Sequence, residues 1–474
     1  MRNTKIVCTI GPATASRKML KDLIRAGMNV ARLNFSHGEP AQFEKWIQII
    51  REESDSMEKT VAILQDLPGP KIRIGNVKEG EVTLKAGSRF ILRTDADPGS
   101  EKSVQISYSK LPEEVLVGDP IFIDDGHIRL KVIRVFSTEI ETEVIAGGKL
   151  RSEQGINVPE TNLSMPSISK HDLTQLDFGL AQDVDWVALS FVRKAEDIEQ
   201  IRSYCQARGK SPKLMAKIER REAMLHLEPI LQSCDGVMVA RGDLGVEIPI
   251  EQVPLAQKKI IALANRMGKP VVTATQMLES MVEQPWPTRA EVADVANAVL
   301  DGTDAVMLSQ ETAIGKYPLQ AIGIMDRVIL ELENHHKKNP PGERRKEPVK
   351  ETSEAVTNGV CHIANQVKAS IIVAISQTGK TAQRLSAARP HVPIVALTED
   401  KKVSRQLIMY WGVIPLLLND LAGIDQKPEL IFELIQKKGL ILPGEAIILT
   451  GELPSGNPGL NSFIRVFQNE IPDG

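Results

Sequence analysis

The sequence predicts an α/β protein built on a (β/α)8 barrel, with an all-β module inserted in the barrel and a smaller α/β domain after it. Three observations predict this. Short apolar runs alternate with amphipathic stretches eight times between Lys5 and residue 333, the rhythm of a barrel of about 250 residues. The rhythm lapses between Gly69 and Met165, where period-two segments and turn residues take over. A polar, Pro-containing stretch, Asn334–Glu351, then separates a third region, as linkers do. At 474 residues the chain has room for two to four domains. The expected boundaries are 1–68 and 166–336 for the barrel, 69–165 for the insert, 337–349 for the linker and 350–474 for the last domain.

The elements follow in order. Lys5–Ile10 is a strand, and Ser16 caps a helix running to Ala26. Asn29–Leu33 and Thr60–Leu64 are strands flanking a helix over 39–53. The insert contains strands at Glu81–Thr94, Ser103–Tyr108, Ile121–Ile123 and Ile128–Val144, and no convincing helix. Helix 169–182 then precedes strand Trp186–Phe191, and helix 194–208 precedes Lys213–Ile218. Helices 220–232, 252–267 and 288–300 precede strands Gly236–Arg241, Pro270–Thr275 and Ala305–Ser309, and helix 317–333 closes the set. An open doubly wound sheet is the competing arrangement; the count of eight and the position of the insert in a βα loop favour the barrel. The third region reads as helices 352–367, 380–388, 400–410 and 428–438 around strands 371–375, 394–397, 413–418, 446–450 and 463–467.

Composition excludes several classes. Hydrophobic residues are 42% and charged residues 25%, a globular balance. Net charge is −3 and aromatics are 4%, so neither a global field nor base-stacking platforms draw the chain to nucleic acid or membrane. Four irregularly spaced cysteines offer no CxxC pair, which reads as buried thiols of a reducing compartment. With no signal peptide and no spanning apolar run, the expected location is cytoplasmic. An anionic substrate would have to be held by local charge.

In a barrel that charge belongs at the C-terminal ends of the strands. Strand 2 ends in Arg32, Asn34, Ser36 and His37, and strand 3 in Asp66, followed by Lys71 and Arg73. Strand 5 ends in Lys217-Ile218-Glu219, strand 6 in Arg241-Gly242-Asp243, strand 7 in Thr275-Gln276, and strand 8 in Ser309 and Glu311. Lys217 and Glu219 lie two apart and share a face. Glu219 and Asp243, on neighbouring strands, could share one hard cation, with Arg32, Arg73 and Lys217 supplying positive charge for phosphate oxygens. That mixture suits phosphoryl transfer. Singly, each residue has a blander reading: a salt bridge, a turn, a helix cap, and for His37 a satisfied loop histidine. The coincidence of six strand ends outweighs them.

Several stretches are similar to one known family. Lys5–Ala13 (KIVCTIGPA), Met28–Gly38 (MNVARLNFSHG), Gly69–Arg73 (GPKIR), Lys217–Glu219 (KIE), Ala240–Glu247 (ARGDLGVE), Thr273–Met281 (TATQMLESM), Pro287–Asn297 (PTRAEVADVAN) and Asp301–Gly315 (DGTDAVMLSQETAIG) resemble pyruvate kinase, in order and over essentially the whole chain. The resemblance implies transfer of phosphoryl from phosphoenolpyruvate to ADP, a small β-barrel lid as the insert, and an effector-binding, oligomerising last domain. It implies Mg2+ or Mn2+ on Glu219 and Asp243, with Lys217 and Arg32 on the phosphoryl group. Gly242, Asp243 and Thr275 would face the substrate carboxylate, and Asn34, His37 and Arg73 the nucleotide. It also implies a homotetramer.

Departures from the family pattern sharpen the expectations. Many relatives hold potassium with residues matching Asn34, Ser36, Asp66 and the carbonyl of Leu67, and carry an acid where this chain has Lys71; activity without potassium is expected. Pro68 would stiffen the hinge. Gln154 stands where a nucleotide-contacting lysine is usual, so Lys149 or Arg151 substitutes or affinity falls. Glu160 replaces a glycine, and Gln310 interrupts a familiar run without expected harm. Ser376, Thr378, Gly379, Lys380 and Thr381 link a strand to a helix as a phosphate cradle for a sugar-phosphate or AMP effector, closed by Leu453–Asn461. Ala374 rules out a Walker A loop. A magnesium-dependent aldolase or lyase, and a non-catalytic sugar-phosphate sensor, are the competing functions.

Overall fold

The computed structural model describes residues 2–95, 98–161, 163–338, 352–421, 423–452 and 462–468. Eight parallel strands close into a barrel: β1 (Lys5–Thr9), β2 (Val30–Asn34), β3 (Ala62–Asp66), β4 (Trp186–Leu189), β5 (Lys213–Ile218), β6 (Gly236–Ala240), β7 (Val271–Ala274) and β8 (Ala305–Leu308). β8 returns to β1 with Ala305 opposite Lys5, so the open-sheet alternative is excluded. β3 pairs directly with β4, Leu64 opposite Trp186, although the whole insert lies between them in the chain.

Strand alternation divides the side chains. Leu214, Ala216 and Ile218 of β5 pack outward on the helices, while Met215 joins Val7, Leu64 and Trp186 along the axis. The sequence supplies helix punctuation where it is needed. Ser16 accepts from Met19 N, and Gly27 ends the same helix at φ 112°. Ser169 and Asp172 form a reciprocal capping box, as do Thr288 and Glu291. One expected helix, 220–232, is two: Arg221–Leu225 and Leu227–Ser233. Pro229 has no N–H for the Leu225 carbonyl, which accounts for the break.

The insert is a seven-stranded sheet with a two-stranded companion, Gly148–Arg151 on Glu81–Leu84. Its two edge strands meet through Gly75 N to Gln105 O (2.8 Å) and Ser107 N to Arg73 O (2.9 Å), so the sheet curls shut. Glu81–Thr94 and Ile128–Val144, read as single strands, are each two strands joined by a turn, and one short helix, Leu111–Glu114, interrupts the all-β pattern.

The last domain has a five-stranded sheet in the order 413–417, 394–398, 371–375, 446–452, 462–468, the final strand antiparallel. It plugs the N-terminal mouth of the barrel. Trp186 packs at a tilt against Tyr410 (6.2 Å between centroids) and donates to Gln406 O at 3.2 Å. Arg405 bridges Asp185 (2.6 Å) and Asp183 (2.8 Å), and the Lys5 amine donates to Val413 O at 2.7 Å. Most of the expected linker and all of the expected closing loop Leu453–Asn461 lie outside the described residues.

Candidate active site

At the opposite mouth, β5 delivers Lys217 and Glu219 to the axis. The Lys217 amine lies 2.8 Å from Glu219 Oε1, 3.2 Å from Asp66 Oδ1 and 2.6 Å from Ser190 Oγ. Arg32, two residues before the end of β2, donates through Nε to Asp66 Oδ2 (2.7 Å) and through Nη1 to Thr9 Oγ1 (2.9 Å). Asp66 is thus the anion that seats both cations, a pairing the residue-by-residue reading did not anticipate. Burial would lift its carboxyl, but Lys217 and Arg32 outweigh that and hold it below the usual range. Burial likewise disfavours the charged Lys217 amine, yet Asp66 and Glu219 hold its pKa well above the ordinary lysine value. The amine stays an ammonium at neutral pH.

Glu219 is the strained member. It is 1% exposed, and burial raises its pKa, Lys217 only partly offsets this, and the Asp243 charge adds repulsion. Its Oε2 accepts from Phe191 N at 2.7 Å. Two carboxylates in one field, one of them desolvated, form a donor set that a hard divalent cation relieves, so these residues fit the implied metal. Among the described residues no group of three or more His, Cys, Asp or Glu could hold a metal, so the remaining ligands would have to come from substrate and water.

Asp243 opens the short helix Arg241–Glu247, directly after β6. Its neighbour Gly242 donates its N–H to Thr275 Oγ1 (2.8 Å), and Thr275 Oγ1 donates to Ala274 O (2.6 Å). Thr275 and Gln276 both sit in the left-handed region, φ 68° and 54°, which is costly for a β-branched residue. Arg241 holds that turn through Thr275 O (2.6 Å) and Asp294 (2.7 Å). Glu311 is structural here: its two oxygens accept from Leu278 N (3.0 Å) and Ser309 N (2.7 Å).

Other candidates fall elsewhere. The Lys71 amine points at Asp243 (3.4 Å) and at Asp125 of the insert (3.5 Å). Its partners are these two carboxylates rather than Asn34, Ser36, Asp66 or Leu67. Asn34 Oδ1 instead accepts from Ser36 N, and Leu67 O from Ser190 Oγ. His37 is exposed on the turn after β2. Arg73 lies in the insert and donates to Glu153 O (2.9 Å). Lys149 and Arg151 both pair with Glu81 at 2.9 Å, while Gln154 Oε1 caps Arg151 N. In the last domain Gly379 adopts φ 82° ahead of helix Lys380–Ala388, and Ser376 Oγ accepts from Thr381 N at 3.3 Å.

The strand-end rule could have found Ser190, the first residue after β4. It could not have found the clasps that seat the insert. Asn157 Nδ2 donates to Glu247 (3.1 Å), which pairs with Arg220 (3.3 Å). Arg193 donates to Leu163 O (2.7 Å) and Met165 O (2.8 Å).

Comparison with known proteins places these residues in context. Residues 1–322 match the family described as pyruvate kinase, barrel domain, and residues 354–467 match pyruvate kinase, alpha/beta domain. The chain is 45% identical to pyruvate kinase 2 of Synechocystis over 98% of this chain and 79% of the relative. It is 42% identical to the pyruvate kinase of Thermotoga maritima, over 99% of this chain and 100% of the relative. A crystal structure of a pyruvate kinase from Cryptosporidium parvum superposes with a TM-score of 0.90 at 36% identity, covering 99% of this chain and 96% of that one.

Proposed function

The chain belongs to the pyruvate kinase family, a phosphotransferase family acting on phosphoenolpyruvate and ADP, and we propose that the rim built on Lys217, Glu219, Asp243, Arg32 and Thr275 carries out that transfer. The observation that carries the assignment is the Lys217 ammonium within 3.2 Å of two carboxylates at the C-terminal mouth of the barrel. Phosphoryl transfer needs positioning and charge neutralisation more than covalent help. Lys217 and Arg32, both seated on Asp66, supply fixed positive charge for the oxygens of the group in flight. Gly242, Asp243 and Thr275 form the pocket for the carboxylate end. A divalent cation held by Glu219 and Asp243 would supply Lewis-acid stabilisation of phosphoryl and enolate oxygens when bound. The enolate then needs a proton at its methylene carbon. Thr275 is a poor acid, so its hydroxyl relays a proton from ordered water.

The finer reading has further parts. The barrel, 1–68 and 166–336, holds the chemistry; the lid, 69–165, covers ADP through Arg73, with Asn34 and His37 below; 350–474 binds a phosphorylated effector and assembles a homotetramer in the cytoplasm. The left-handed Gly379 and the Ser376–Thr381 bond support a preformed anion cradle. Activity is independent of potassium because Lys71, only 22% exposed, brings its own charge to the rim. Coupled assay of ATP formation from phosphoenolpyruvate and ADP tests the whole reading, with and without potassium. ATP at a rate unchanged by potassium is expected. A many-fold rise on adding potassium removes the Lys71 part, and no ATP removes the whole.

A further inference from the structure

The segment Ser190–Arg193 touches four things at once. Ser190 Oγ donates to the carbonyl of Leu67 (2.7 Å) and accepts from the Lys217 amine (2.6 Å). Phe191 N donates to Glu219 (2.7 Å), and Arg193 grips the returning segment of the lid at Leu163 O and Met165 O. Leu67 is followed by Pro68-Gly69-Pro70, the outgoing crossing into the lid. Gly69, at φ 67°, is pressed on this segment: a Cβ there would lie 2.9 Å from Ser190 Cβ and from the Phe191 ring. Its N–H is fixed by Asp172 Oδ1 at 2.9 Å. Phe191 is itself left-handed at φ 56°, a strained state for an aromatic residue, so the segment is held in one shape by what surrounds it.

An ammonium has three N–H donors. In this structure all three of Lys217 have acceptors: Asp66, Glu219 and Ser190. A phosphoryl oxygen can be met only by exchanging one of them. Ser190 is the uncharged acceptor, and it lacks the opposite charge that adds Coulomb attraction to the bonds with Asp66 and Glu219. It is also the one whose position depends on the hinge.

We infer that Ser190 is a positioning residue that ties the aim of the Lys217 amine to the lid hinge. Its hydroxyl, anchored on Leu67 O, holds the third Lys217 N–H while no phosphoryl group is bound and yields it to the phosphoryl oxygen when hinge movement shifts Leu67. The inference rests on the proposed role of Lys217, and nothing covalent changes at Ser190.

The test uses the full chain as Ser190→Ala, Gly69→Ala and the double variant. Two reactions are measured: ATP formation from phosphoenolpyruvate and ADP, and solvent exchange of the pyruvate methyl protons, which needs the enolate pocket but no phosphoryl transfer. Expected for Ser190→Ala is a loss in kcat for ATP formation of about 10-fold or more, with the exchange rate changed less than about threefold. A merely structural role lowers both rates together. Gly69→Ala, remote from the amine, is expected to give the same selective loss. The double variant is expected to be no worse than the poorer single, as for residues acting through one link. Equal loss of both reactions, an unchanged kcat in Ser190→Ala, or multiplicative losses in the double variant overturns the inference. Wild-type protein inactive in ATP formation would instead remove the family activity on which it stands.

Discussion

At the residue scale, each functional group is set by a neighbour that the chain places with few atoms to spare. Thr275 shows this best. Its hydroxyl lies between Gly242 N and Ala274 O, and its backbone is kept left-handed by Arg241. Thr275→Ala keeps the turn and removes the hydroxyl. It is expected to slow methyl-proton exchange of pyruvate by at least tenfold while leaving Mn2+ binding, read by its electron paramagnetic resonance, within about twofold. Equal loss of both would reject the relay. The buried thiols give a second expectation. Burial pushes Cys205 and Cys234 up to about 11, so both should resist alkylation by iodoacetamide at pH 8 in the folded protein and react on unfolding. Much of this scale was legible beforehand: Lys-x-Glu on a strand must face one way, and strand ends must line the mouth. Asp66 as the seat of Lys217 and Arg32 was not, because pairing across β2, β3 and β5 depends on barrel stagger that one sequence does not display.

At the element scale, the hinge segments and caps carry the load. Asp172 serves two elements: it completes the Ser169 capping box and accepts from Gly69 N. Asp172→Ala is expected to cost about 0.3–1.5 kcal/mol in unfolding free energy from the capping box alone. It should also speed amide exchange at Gly69 and Lys71 over wild type; stability loss with unchanged hinge exchange would mean the second bond carries nothing. The strand and helix order was readable because apolar period and capping residues agree. Turns inside the insert were not, since Glu81–Thr94 and Ile128–Val144 keep alternating through the reversal. The Lys71 partner was also hidden. Its distance from Asp125 and Asp243 follows from how the lid folds back on the barrel, which no local pattern encodes.

For the whole molecule, the notable feature is that the last domain seals the barrel floor with buried charge. Lys5 is the extreme case. Burial and the nearby Arg2 pull its amine down to about 7, although Glu333 and Asp304 work the other way. In the unfolded chain the amine titrates near 10.4. Between those values the unfolded chain holds a proton that the folded chain does not, so stability rises with pH across that window. Below pH 7 both states hold it, and the cost of burying the charge is felt in full. Lys5→Met should therefore gain most on wild type in thermal midpoint at pH 6.5 and lose much of that gain by pH 9.5. A gap that stays constant with pH would show that Lys5 does not titrate there. Nothing in the sequence warned of such burial at this floor, because Arg2-Asn3-Thr4 reads as a polar lead-in and Lys5 as the first residue of a strand.

In the proposed mechanism one ammonium, Lys217, neutralises the transferring phosphoryl group while Glu219 and Asp243 would hold the metal beside it. Single-turnover ATP formation by Lys217→Met, set against Mn2+ binding by the same protein, tests it most directly. The expected result is a loss in rate of about 10²–10³-fold or more, with Mn2+ still bound. A rate within tenfold of wild type, or Mn2+ affinity lost along with the rate, would contradict it.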